Sequence, residues 1–139
     1  MKLALKTRDL PTRVATGAYI LHSGLDKWHA DEARVTGLHG MASGAFPFLR
    51  RLTPVRFGKL LAAGEIATGA ALLSPVVPAS LAGGALTIFS GALVTMYLRT
   101  PGMHKPNSVW PSSQGVAVSK DVWMLGIGLG LLLEAATDR

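Results

Sequence analysis

The chain has 139 residues, of which 49% are hydrophobic and only 16% are charged, whereas roughly a quarter of an ordinary soluble domain is charged. This composition excludes a disordered or fibrous chain and argues against a soluble enzyme, and the length allows a single domain, residues 1 to 139. The net charge of +6 does not indicate nucleic-acid binding, because the basic residues flank apolar runs, where they would reach lipid headgroups. The absence of cysteine excludes disulfides and thiol redox chemistry.

The first predicted membrane span covers residues 11 to 28. Pro11 suits the first turn of a helix, and Trp28 ends the apolar run where an interfacial aromatic residue is expected. The segment contains 18 residues, and at 1.5 Å per residue it would extend about 27 Å, just enough to cross the hydrocarbon core.

A long polar connection follows, from residue 29 to residue 54. Apolar residues recur in it at near-helical spacing, which favours an amphipathic helix on the membrane surface over an ordinary solvated loop; they are Ala33, Leu38, Met41, Ala42 and Ala45. The aromatic pair around Pro47 predicts a shallow dip into the bilayer after this helix.

The next two predicted spans come from one uncharged stretch. From Ile66 to Leu98 there is no charged residue across 33 positions, which is too long for a single helix. Pro75 and Pro78 interrupt it, because proline breaks a helix and biases the preceding residue to extended geometry. We therefore predict spans at residues 55 to 73 and 76 to 98, joined as a tight hairpin.

The last span is predicted at residues 119 to 136, after a connection whose prolines and glycines exclude a regular helix. Ser119 suits the N-cap, and Asp121 in the first turn complements the helix dipole. The predicted fold class is thus all-α, a four-helix transmembrane bundle with both termini on one side of the membrane. The side on which the termini lie stays open, because the charge of the connections and the basic cluster before the first span indicate opposite orientations.

Small residues recur at four-residue intervals in the last three spans and predict close helix packing. Packing within one bundle explains three such stripes more simply than homodimerisation. The predicted packing residues are Ala63, Ala67, Gly83, Gly91, Gly126 and Gly130.

Glu65 is the most informative polar residue. It lies eight residues, about 12 Å, before the end of its span, close to mid-membrane. An ionisable group there costs several kcal/mol unless it is paired, protonated or hydrated, so it marks a functional site or a structural hydrogen bond. We predict that Glu65 faces the first span, within hydrogen-bond or water-bridged reach of His22 or Lys27.

His22, Asp26 and His29 share one face of the first span. Such a set could bind a metal or relay protons, but polar residues belong at the membrane interface in any case, and no metal site is predicted. The predicted intramembrane polar site comprises Glu65, His22, Lys27, Asp26 and Asp121. No nucleotide-binding or hydrolase motif is present, so no catalytic residue and no cofactor are predicted.

Three short motifs resemble the DoxX family of small bacterial membrane proteins. They are H-S-G-L-D-K-W from His22, G-E-I-A-T-G-A-A-L-L from Gly64 and K-D-V-W-M-L-G from Lys120, and the resemblance covers about residues 13 to 135. It implies a four-helix bundle in the bacterial cytoplasmic membrane and an accessory role beside redox or quinone-linked systems.

The first functional prediction is a non-enzymatic accessory subunit that associates with a larger respiratory or transport complex. Its partners would be the lipid bilayer and other membrane protein subunits, and not nucleic acid. The alternative is a membrane redox component that binds a quinone or another lipid-like molecule within the bundle. A third interpretation is a small transporter or proton path that uses Glu65 as the carrier.

Overall fold

The computed structural model describes residues 6–100, 102, 105–108, 110–112 and 121–137. These residues form an all-helical fold without a β-strand, which confirms the predicted fold class at this level. Short 3-10 helices occupy Thr7–Asp9 and Pro47–Arg51. The five α-helices are α1 (Leu10–Trp28), α2 (Glu32–Ala45), α3 (Pro54–Leu73), α4 (Ala79–Arg99) and α5 (Asp121–Thr137).

Prolines set the starts of three helices close to the predicted positions. Pro11 and Pro54 lie in the first turns of α1 and α3. The helix α4 begins at Ala79, three residues later than predicted, because Pro78 holds extended backbone at the N-cap (φ −67°, ψ 154°). The predicted N-cap residue Ser119 lies outside the described residues.

The helix predicted between the first two spans is confirmed as α2. The carboxylate of Asp31 accepts a hydrogen bond from the backbone N–H of Arg34 and so caps its first turn (2.8 Å). Ala42 and Ala45 are buried against Met96 of α4, so one face of α2 packs on the bundle.

The four long helices pack mainly as two antiparallel pairs, α1 with α3 and α4 with α5. Glycines allow close backbone approach in both pairs. A Cβ added at Gly69 of α3 would lie 2.7 Å from the backbone nitrogen of Leu21, and one added at Gly128 of α5 would lie 2.9 Å from that of Thr87. Buried residues from both pairs meet in one apolar core: Ile20, Leu72, Ala82, Leu86 and Leu131.

Four of the six predicted packing residues lie on the wrong helix face. Ala63 and Ala67 are exposed, and a Cβ added at Gly126 or Gly130 would meet nothing within 4 Å among the described residues. A helix turns 100° per residue, so Gly128, between the two predicted glycines, lies on the opposite side and makes the contact.

The other two predicted packing residues lie at the contact between α4 and α5. A Cβ at Gly83 would lie 2.8 Å from the Cβ of Leu131, whereas one at Gly91 would be in ordinary contact with Leu125 at 3.9 Å.

We expect Gly128→Ala to destabilise the fold and Gly126→Ala to leave it unchanged or slightly more stable. The first methyl group would force α5 away from α4, which costs roughly 1–3 kcal/mol. The second would enter open space and raise helix propensity by up to about 1 kcal/mol. Unfolding of the two purified variants in detergent measures the difference; equal stabilities would contradict the assigned packing face.

Three basic side chains bind carbonyl groups at the ends of neighbouring helices. Lys59 donates to the carbonyl of Trp28 at the end of α1 (2.7 Å), and Arg99 donates to that of Ala45 at the end of α2 (3.1 Å). Arg13 binds the end of α3 in the same way and is completely buried. Arg13 therefore departs from the expectation that the basic residues reach lipid headgroups; positive charge at a helix C-terminus is favourable there instead.

Among the described residues, one helix, α4, is long and apolar enough to cross a membrane. The helices α1 and α3 have nearly the same length, with 19 and 20 residues, but each carries three charged residues. These are Arg13, Asp26 and Lys27 in α1 and Arg56, Lys59 and Glu65 in α3.

Candidate functional site

A cavity of about 500 Å³ lies among the helices and is lined by residues of all five. Its volume falls within the usual range for small-molecule sites. Most of the lining side chains are apolar, with aromatic rings and methionines from several helices: Phe46, Phe57, Phe89, Met41, Met96 and Met124.

The main polar feature of the cavity is an ion pair between α1 and α3. The ammonium nitrogen of Lys27 lies 2.9 Å from Oε1 and 3.2 Å from Oε2 of Glu65. Glu65 is only 4% exposed. The predicted contact of Glu65 with the first helix is therefore confirmed, and Lys27 makes it.

Close helix packing brings the two charges together. A Cβ added at Gly24 of α1 would lie 2.9 Å from the Cβ of Glu65, so only glycine permits this approach. Lys27 also donates a hydrogen bond to the hydroxyl of Ser23, which lies one turn earlier in α1 (2.7 Å). The ammonium group thus has two kinds of acceptor, which fix its position at the cavity wall.

Asp121 brings a second carboxylate to the cavity. It is the first described residue of α5, is half-buried, and lines the same space as Lys27 and Glu65. It lies close enough to both for their charges to interact. Of the five residues predicted as an intramembrane polar site, the structure brings these three together.

His22 and Asp26 do not join this cluster. Both are exposed on α1, and the carboxylate of Asp26 pairs with Arg34 of α2 at 2.7 Å. The buried face of α1 runs through Ile20 and Gly24, which turns the positions of His22 and Asp26 outward. Among the residues described, no three His, Asp or Glu side chains converge in a way that could hold a metal ion.

Sequence reasoning missed the contribution of α2 and the segment after it to the cavity wall. Leu38, Met41 and Ala42 of α2 line the cavity, followed by Phe46, Phe48 and Leu49 of the next turn. The near-helical spacing of the apolar residues in α2 was the available signal, but it does not reveal whether that face meets lipid or protein.

No family model, curated protein or solved structure matches this chain. The resemblance to the DoxX family therefore depends on the three sequence motifs. Each motif contains one charged residue of the cavity, namely Lys27, Glu65 and Asp121.

Proposed function

We propose that this chain is a four-span integral membrane protein that binds an apolar, lipid-like molecule in the cavity among its helices. The cavity carries this proposal, because it has about 500 Å³ of mainly apolar space and its described lining residues bring three charged side chains together in one cluster. Such a site would accommodate an apolar body and hold a polar head at Lys27, Glu65 and Asp121. A quinone or another lipid-like molecule is the ligand predicted from the sequence for such a site.

The distribution of polarity supports the membrane part of the proposal. Large apolar side chains project outward from all four long helices, as Tyr19 (75% exposed) and Ile88 (78% exposed) illustrate, together with Leu60 and Leu133. Charged groups lie inside, including Arg13 and Glu65. Lipid would cover such outward apolar side chains, while the charged groups stay inside.

We expect an apolar probe to bind saturably, and we expect a substitution that fills the cavity to weaken this binding. Decyl-ubiquinone and the neutral fluorophore diphenylhexatriene would be titrated onto the protein in lipid nanodiscs. Ala92 is exposed on α4 and also lines the cavity, so Ala92→Phe places a ring at the cavity wall and should weaken binding at least about tenfold, or roughly 1.4 kcal/mol.

Ala63→Phe is the matched control, because Ala63 is exposed on α3 and does not line the cavity. We expect this variant to bind both probes like the wild-type protein. The proposal fails if neither probe binds saturably above empty nanodiscs, or if the two phenylalanine variants lose binding equally.

The accessory-subunit role stays a prediction from the resemblance. Its partner would dock on the outward apolar side chains, such as Ile88 and Leu133, but lipid covers such a surface equally well. The cavity is therefore the more specific feature, and it favours ligand binding.

A further inference from the structure

Among the described residues that line the cavity, the formal charges do not balance. Lys27 and Glu65 neutralise each other in a direct ion pair, and Ser23 takes a further hydrogen bond from the ammonium group. Asp121 remains, and among the described residues no side chain forms an ion pair or hydrogen bond with its carboxylate. A half-buried carboxylate beside apolar walls is less well solvated than one in water, so a positive charge placed there would be stabilised.

The walls of the cavity are also suited to a cation. Phe57 of α3 and Phe89 of α4 are partly buried and line the space that Asp121 borders. The face of an aromatic ring attracts a cation electrostatically, and this attraction grows when water is excluded. An anionic head would meet the carboxylates of Glu65 and Asp121, whereas a neutral head would leave Asp121 uncompensated.

We propose that the ligand of this cavity is a lipophilic cation, an apolar molecule with an ammonium head, and that Asp121 is its counter-ion. The inference rests on the proposed function, since it names the ligand class for the same cavity. Lys27 then acts as the internal partner of Glu65, which leaves one negative charge for the ligand.

A matched pair of probes tests the charge of the ligand. Diphenylhexatriene is neutral, and its trimethylammonium derivative adds one positive charge to the same apolar body. Both would be titrated onto the protein in nanodiscs of zwitterionic lipid. We expect the cationic probe to bind at least about tenfold more tightly than the neutral one, after subtraction of binding to empty nanodiscs.

Substitutions in α5 test whether Asp121 causes the preference for the cationic probe. Asp121→Asn should weaken the cationic probe about tenfold or more and change the neutral probe less than about twofold, while Asp121→Glu should retain the preference. Glu134→Gln removes the same charge from the opposite end of α5 and should change neither affinity.

The outcomes separate this inference from the proposed function. If the two probes bind equally, or if Asp121→Asn keeps the cation preference, the cationic ligand class is wrong while the cavity still binds apolar molecules. If neither probe binds saturably, the proposed function fails as well. Neutral-probe binding to Asp121→Asn reports that this variant is folded.

Discussion

Replacing Arg13 with leucine should produce the largest loss of stability of any single substitution considered for this protein. The guanidinium group is fully buried (0% exposed), and its Nε and Nη2 lie within hydrogen-bond distance of four carbonyl oxygens around the α3–α4 connection, so one N–H of Nη2 is shared between two acceptors. The acceptors are those of Leu72 and Ala71 at 2.9 Å, Val77 at 3.0 Å and Ser74 at 3.1 Å. The Nη1 of Arg13 has no hydrogen-bond partner among the described residues. Without Arg13 these carbonyls lose a charged donor, and we expect a cost of roughly 3–5 kcal/mol.

Unfolding of purified variants in detergent, followed by circular dichroism, measures this loss. Arg13→Lys keeps the charge but cannot reproduce the planar fork of donors, so its stability should lie between those of the wild type and Arg13→Leu. Arg51→Leu is the matched control, because Arg51 is exposed, and its effect should stay within about 0.5 kcal/mol. If Arg13→Leu proved as stable as Arg51→Leu, the assigned role of Arg13 would be wrong.

Glu65→Leu should cost about 3 kcal/mol, because the largely buried ammonium group of Lys27 loses the carboxylate with which it forms its ion pair. Glu65→Gln should cost less, since the amide oxygen still accepts a hydrogen bond from Lys27. The double variant Lys27→Met with Glu65→Leu should recover most of the loss, because a buried ion pair replaced by apolar residues of similar size is often neutral.

A double-mutant cycle on the free energy of unfolding measures the coupling between the two residues. Each single substitution should be more destabilising than the pair together. Additive losses from the two single variants would show that the pair contributes no mutual stabilisation, contrary to its geometry.

Much of the fold could be predicted from local features of the sequence. Prolines and long apolar runs locate the helices, because they act within a turn or two of their own position. Glu65 could be placed against the first helix for a different reason: a charge inside an apolar run needs a partner, and Lys27 was one of the two candidates.

The rotation of each helix about its axis could not be predicted in the same way. Glycines lie on two sides of α5, Gly126 and Gly130 on one side and Gly128 on the other, and only Gly128 meets α4. The choice between them depends on the shape of the neighbouring helix, which no local pattern contains. The sequence likewise predicts Arg13 only as a basic residue flanking an apolar run. Its acceptors lie 58 to 64 residues further along the chain, so no local pattern reveals them.

That long separation along the chain delays the contacts of Arg13 during synthesis. During synthesis α1 emerges first, and the carbonyls that Arg13 binds do not exist until the ribosome has passed Val77. Arg13 is the fourth residue of α1, so in the proposed membrane arrangement an isolated α1 would hold it near the bilayer edge, where its side chain can reach the headgroups at less than the cost of about 2.5–3.5 kcal/mol expected at mid-bilayer. In that arrangement the side chain of Arg13 would leave the headgroups for the carbonyls of the α3–α4 connection only after that connection has been made.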